Sequence, residues 1–222
     1  MIGDTVIIEE LDEIIGQKLT ESFLPYLEKG VKKIITIGGP SGSKKTERAL
    51  TLQKNLKKWG YLSKILSQDD LYRIGPGYRN TWREVKGVEF VGKEEIDWNL
   101  VDIICNDFRI DESVWMPRFD SNSEHYEWVN WPSENIDILI IEGIYSCFLQ
   151  ALTGIIPDFS IYLDVTPSQT LPYRQRRNKE NEYSDFRQKV VEKEYQESLE
   201  SRNFCNVLVD FEGTIDISGI KF

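Results

Sequence analysis

A run of small residues, Gly38-Gly39-Pro40-Ser41-Gly42-Ser43, separates an apolar stretch, Val31 to Ile37 (VKKIITI), from an amphipathic one that runs from about Lys45 to Trp59 and is followed by Gly60. The first reads as a buried strand and the second as a helix, with Gly60 placed to stop it. A strand passing into a helix through such a turn constrains the fold strongly, because it belongs to β-α-β units around a parallel sheet. It also carries chemistry. Backbone N–H groups of a glycine-rich turn converge on phosphate oxygens, and the helix N-terminus adds favourable partial charge.

Gly39 to Thr46 follows the pattern G-x-x-x-x-G-K-[ST] with one departure: Lys44 stands at the second glycine. Gly39, Pro40, Ser41, Gly42, Ser43 and Lys44 are the candidate phosphate cradle. Lys45 is placed to reach the β- and γ-phosphates, and Thr46 to offer a hydroxyl to Mg²⁺. Lys44 has two opposed consequences. Its side chain crowds a place where backbone closely approaches phosphate. Its ammonium, if it points outward or along a phosphate edge, leaves binding intact or adds to it.

The rest of the chain repeats the alternation. Tyr61 to Leu66 (YLSKIL), Ile136 to Ile141 (IDILII), Phe159 to Val165 (FSIYLDV) and Val207 to Val209 read as strands. Lys93 to Phe108 reads as an amphipathic helix with Ile96, Leu100, Ile103 and Ile104 on one stripe, after a Gly/Pro loop at Ile74 to Gly77. Ser113 to Phe119 and His125 to Trp131 look like a hairpin inserted between sheet elements. Residues 5 to 29 carry an amphipathic helical pattern expected to pack on the outside of the core.

Acidic residues fall where strands of the sheet end. Asp69, in Ser67-Gln68-Asp69-Asp70, follows the second strand, placed to take the proton of an attacking hydroxyl or to join a Mg²⁺ shell. Glu142 ends the strand at Ile136 to Ile141 and is a further metal candidate. Arg174, Arg176 and Arg177 follow the strand at Phe159 to Val165, and Arg174 and Arg177, three apart, share a helical face that a closing lid could bring to phosphate.

Together these residues resemble the uridine kinase family, within the wider uridine kinase and phosphoribulokinase group. The resemblance rests on Gly39 to Thr46, Leu66 to Arg73 (LSQDDLYR), Pro117-Arg118-Phe119-Asp120, Ile141-Glu142-Gly143-Ile144 and the arginines Arg174 and Arg177, and spans roughly residues 31 to 210. It implies an α/β P-loop NTPase fold, with a mostly parallel sheet flanked by helices, a small β-hairpin insert and a helical lid. One kinase domain over 1–222 is expected, with a helical extension at 1–30, the hairpin at 111–132 and the lid at 167–190. It implies ATP and Mg²⁺ as cofactors and transfer of the γ-phosphate to a hydroxyl of a nucleoside, uridine- or cytidine-like, or a related metabolite. The catalytic set is Asp69, Lys45, Arg174 and Arg177, and the metal set Thr46, Asp69 and Glu142. The resemblance further assigns Tyr72, Asp97, Phe119 and His125 to the substrate. Where the family's hairpin carries a histidine, Glu124 stands here and His125 is one residue late. The alternative reading, prompted by Lys44 and the altered lid at Arg177 to Glu182, is a non-catalytic binder of nucleotide or phosphometabolite.

Bulk properties narrow the field. With 222 residues the chain suits one α/β domain. A net charge of −10 disfavours nucleic acid and anionic membrane as partners. The expected partner is a small-molecule, nucleoside-like substrate, with self-association into a homo-oligomer left open. The acidic N-terminus and the lack of a long apolar run lead to a soluble, cytoplasmic expectation. Cys105, Cys147 and Cys205 lack metal or disulfide spacing, and one histidine, His125, disfavours a two-histidine metal site or a Ser/His triad.

Overall fold

The computed structural model describes residues 6–120, 123, 125–177 and 182–220. Expectations that fall on Glu124 and on the lid stretch 178–181 lie outside these residues. The apolar run at Val31 becomes β1 (Lys33–Gly38), the middle of a six-stranded sheet. Its continuous apolar character follows from burial on both faces, Ile34 on one side and Ile35 and Ile37 on the other. The other strands are β2 (Ser63–Ser67), β5 (Ile138–Glu142), β6 (Phe159–Asp164), β7 (Val207–Asp210) and β8 (Ile215–Asp216). They lie in the order β2-β5-β1-β6-β7-β8, parallel except for β8. The hairpin is a separate two-stranded sheet, β3 (Ser113–Asp120) with β4 (His125–Pro132).

Two helical layers cover the sheet. On one face, α1 (Glu10–Phe23) and α2 (Lys45–Lys58) bury Ile15, Leu19, Phe23, Leu52 and Leu56 against Ile35, Ile140 and Ile161. On the other, α4 (Trp98–Arg109), the hairpin and the short α5 (Leu149–Thr153) pack on Ile34, Leu66, Leu139 and Ile141. The remaining helices are α3 (Pro76–Lys86), α6 (Pro167–Arg177) and α7 (Asp185–Ser201). No helix among the described residues is long and apolar enough to cross a membrane. All three cysteines are free.

Three expectations change. The N-terminal helix is part of the core and not a layer on its outside, since Ile15, Leu19 and Phe23 are fully buried; α1 lies so close to α2 that a Cβ on Gly16 would sit 2.6 Å from Thr51 Cβ. The helix read from Lys93 starts only at Trp98, because Asp97 caps it, Oδ1 accepting from Leu100 N at 3.2 Å, while Ile96 is held in a bridge with Tyr72. Its buried stripe is therefore Trp98, Val101, Ile104, Cys105 and Phe108, and Ile103 faces solvent. The Gly/Pro loop leads directly into α3, with Pro76 in its first turn, where a fixed φ favours a helix start.

A buried carboxylate joins α1 to the glycine-rich turn. Asp12, fully buried, accepts from Lys44 Nζ at 2.8 Å, from Arg48 Nη1, and from the backbone N of Glu9 at 2.6 Å. Lys44 Nζ also reaches Glu9 Oε2 at 2.6 Å. Lys44 itself has φ 66° and ψ 33°, the left-handed conformation that its glycine counterpart adopts freely. That conformation costs about 1–2 kcal/mol in a residue with a Cβ, and the ion pair offsets it. Burial works to lower the Lys44 pKa, but its hydrogen bonds to Asp12 and Glu9 prevail and raise it. The contribution of this pairing is complete below the ordinary lysine pKa and is lost only as pH rises through the raised value.

Two substitutions test this joint by urea denaturation. Asp12→Ala leaves Arg48 buried without its carboxylate and destabilises the fold by about 3–5 kcal/mol. Lys44→Gly loses the ion pairs to Asp12 and Glu9 but relieves the left-handed strain, and Arg48 keeps Asp12 paired, so it destabilises the fold less than Asp12→Ala does.

Candidate functional site

The carboxyl ends of β2, β5, β1 and β6 meet at one edge, where ligands bind in open α/β sheets. The register fixes what stands there: Glu142 lies beside Ile37 of β1 and Ser67 of β2, at the root of the glycine-rich turn. Gly42 has φ 77°, and a Cβ there would fall 2.6 Å from Arg174 Cγ and 3.2 Å from the carbonyl of Thr170. The turn is thus pressed against α6, and this position excludes a side chain on both counts.

Lys45 Nζ folds over the turn and donates to Pro40 O at 2.8 Å and Ser43 Oγ at 3.4 Å. Burial lowers its pKa, and the carboxylates of Glu142 and Asp69 work against that shift. Lys44, its neighbour, points the other way, toward α1. Thr46 Oγ1 donates to Glu142 Oε2 at 3.3 Å, and Ser67 Oγ to Glu142 Oε1 at 2.6 Å. Burial, and then the charge of Asp69, raise the Glu142 pKa. A buried carboxylate whose ionised form is disfavoured, beside a hydroxyl and a second carboxylate, is a donor set suited to a hard cation. Among the described residues no three His, Cys, Asp or Glu form a metal cage. Thr46, Asp69 and Glu142 fit Mg²⁺ held jointly with phosphate oxygens and water.

These side chains open on a cleft of about 370 Å³, walled by Thr46, Asp69, Asp70 and Glu142 on the sheet side and by Met116 and Arg118 of the hairpin. Asp70 is a site residue that the sequence reading passed over. Its Oδ1 accepts from Phe119 N at 3.0 Å, fastening the hairpin next to Asp69, and burial raises its pKa. The signal was present, as a second acidic residue immediately beyond a strand end.

None of the four proposed substrate residues lines this cleft. Tyr72 is buried, with the Arg79 guanidinium stacked 3.4 Å over its ring, and burial pushes its phenol pKa upward. Phe119 is buried and meets Tyr126 edge-on at 5.1 Å. Asp97 uses an oxygen to cap α4, and His125 is exposed on β4 opposite Asp120.

The lid arginines separate. Arg174 is buried: its Nε donates to Glu182 at 2.8 Å and its Nη1 to Pro167 O at 3.2 Å, so its guanidinium braces the lid and is not turned to the loop as its pairing with Arg177 suggested. Arg177 lines a small cavity with Gly42 and Lys44 and acts electrostatically on Lys45. Arg176 donates to Glu9 at 2.9 Å. The sequence reading missed Arg187, whose Nη2 reaches Ser41 Oγ at 3.3 Å. Ser184 caps α7 by accepting from Arg187 N at 3.1 Å, and a Ser-Asp start followed by an arginine was the available clue.

The state of Glu142 gives a test. Its raised pKa means that, without metal, its ionisation destabilises the fold as pH rises above the ordinary glutamate value. Metal-free Glu142→Gln is therefore more stable than the parent at pH 8, and the difference closes at pH 4. Mg·ATP at a hundredfold excess over its Kd stabilises the parent by about 2.7 kcal/mol, and Glu142→Gln loses most of the part of that gain that Mg²⁺ adds to ATP alone in a thermal-shift titration.

Comparison with known proteins agrees with this fold. The structure is similar to a putative fructose transport system kinase from Silicibacter sp. (TM-score 0.58, 18% identity, covering 88% of this chain and 94% of that one). It is also similar to a possible uridine kinase from Bacillus stearothermophilus (TM-score 0.54, 18% identity, 78% and 96%). A third likeness is to D-glycerate 3-kinase from Cryptococcus neoformans (TM-score 0.57, 13% identity, 91% and 95%). At such identities these likenesses establish the fold. No curated protein sequence matches the chain significantly. The sequence profile of the phosphoribulokinase/uridine kinase family matches residues 34–189, from β1 into α7. The chain is a member of the phosphoribulokinase/uridine kinase family, a small-molecule kinase with the P-loop α/β fold.

Proposed function

We propose that the protein transfers the γ-phosphate of ATP to a hydroxyl of a nucleoside, uridine- or cytidine-like, or of a related small metabolite. The observation that carries this reading is the convergence of Thr46, Glu142 and Asp69 on one cleft at the sheet edge, with the Lys45 ammonium buried within the electrostatic reach of both carboxylates. Backbone amides of the turn and the Lys45 ammonium hold the phosphates. Thr46 and Glu142, with Asp69, hold Mg²⁺, which supplies charge neutralisation at the transferred phosphoryl group. Asp69 takes the proton of the acceptor hydroxyl as its oxygen bonds to the γ-phosphorus. The bond to the bridging oxygen breaks and ADP leaves with that electron pair. Arg177 and Arg187, both at the loop, are placed to stabilise the charge that develops there.

What supports a nucleoside as acceptor is the aromatic pair Phe119 and Tyr126, tied to the cleft through Asp70. Other hydroxyl compounds are candidates too, since the fold is shared with a D-glycerate 3-kinase and a putative fructose transport system kinase. The non-catalytic alternative drew on Lys44. The ammonium of Lys44 is directed at Asp12 and Glu9, away from Lys45, which favours the catalytic reading.

A coupled ADP-release assay with uridine, cytidine, D-glycerate, fructose and sugar phosphates tests the proposal. Acceptor-stimulated turnover is expected with one of them, and folded protein that turns over none overturns it. Asp69→Asn lowers kcat about 10²–10⁴-fold, the worth of a positioned general base, with little change in the Kd for ATP.

A further inference from the structure

Residues 6–9 precede α1 without regular structure and cross the mouth of the loop. Val6 forms part of the wall of the cleft that holds Thr46, Asp69 and Glu142. Ile7 closes a cavity of about 20 Å³ with Gly42, Lys44, Glu47 and Arg176. Glu9 then fastens the segment, its two carboxylate oxygens accepting from Lys44 at 2.6 Å and from Arg176 of α6 at 2.9 Å. Next to it, a second cavity of about 30 Å³ lies between Asp12, Lys44, Tyr173 and Phe211. Each has room for a water or two, whereas small-molecule sites span about 300–1,000 Å³.

The direction of a bound nucleotide follows from the site. The phosphate to be transferred must end at the cleft, where Asp69 and Glu142 stand, so the remainder of the nucleotide must lead away on the far side of the loop. Beneath the loop the sheet is solid, with Ile37 and Leu163 buried. The path left passes over Gly42 and Lys44, between α2, α6 and the end of β7, and it is the path that Ile7 and Glu9 close.

We propose that residues 6–9 are an autoinhibitory strap, held by Glu9 to Lys44 and Arg176 in the path of the nucleotide, and that nucleotide entry requires its release. The proposal rests on the reading of the loop as a nucleotide site. It also gives Lys44 a purpose, since glycine offers no ammonium to fasten a strap. Lys44 and Arg48 retain Asp12 when the Glu9 carboxylate lets go, so α1 stays docked while the strap opens. The strap is lightly held: Val6, Ile7 and Ile8 are 37%, 38% and 43% exposed.

Calorimetric titration of Mg·ATP into the full chain and its Glu9→Gln and Ile7→Gly variants tests the strap, with hydrogen exchange at the amides of residues 6–9 as a second readout. Loss of one part-buried and one exposed ion pair tightens ATP binding about fivefold in Glu9→Gln, Ile7→Gly shifts it in the same direction, and saturating ATP speeds exchange at 6–9 in the parent. Equal affinities in all three proteins, with exchange at 6–9 unchanged by ATP, overturn the strap and leave the kinase reading standing. Absence of ATP binding in every protein overturns the nucleotide site and the strap together.

Discussion

A single carboxylate without access to water holds the arrangement together. Asp12 is satisfied by Lys44, by Arg48 and by the backbone at Glu9, and in meeting those three groups it docks α1, fixes the first turns of α2 and stabilises a lysine in a left-handed conformation. Charges buried in this way are tolerable only while they stay paired. The start of α2, and so the placement of Lys45 and Thr46, depends on a contact made outside the loop.

From that joint the site follows by register. Parallel pairing of β1 with β5, and of β5 with β2, brings Glu142, Ser67 and the start of the Asp69-Asp70 turn to the same edge as the loop. Asp70 draws in the hairpin through Phe119, and α6 and α7 lean on the loop through Arg174 and Arg187. Of the groups proposed to bind the cation and accept the proton, Glu142 ends the central strand β5, Asp69 follows the edge strand β2, and Thr46 opens α2. The arginines proposed to meet the phosphates, Arg177 and Arg187, sit on α6 and α7, and Arg187 reaches the loop at Ser41 Oγ.

What could be read from the sequence was whatever local pattern decides. Unbroken apolar runs gave β1, β5 and β6, the glycine-rich turn gave the loop, and alternation with helical stretches gave the parallel sheet. The misreadings have tertiary causes. The Gly/Pro stretch at Ile74 to Gly77 conceals the start of α3, because a proline serves a turn and a helix start equally well. The segment at Lys93 looked continuous with α4, until the cap at Asp97 and the bridge between Tyr72 and Ile96 set the boundary. Arg174 and Arg177 look alike in sequence, but the partner of Arg174, Glu182, becomes its neighbour only when the lid folds back. The direction of Lys44 was set by Asp12, 32 residues away, and no pattern within the loop encodes it.

The most direct test is a crystal structure of the protein with Mg²⁺ and a non-hydrolysable ATP analogue. The expected result has the phosphates cradled by Gly39 to Thr46, the metal on Thr46 and Glu142, and Lys44 still directed at Asp12. Phosphates absent from the loop, or the Lys44 ammonium turned inward onto them in place of Asp12, would contradict this view of the site.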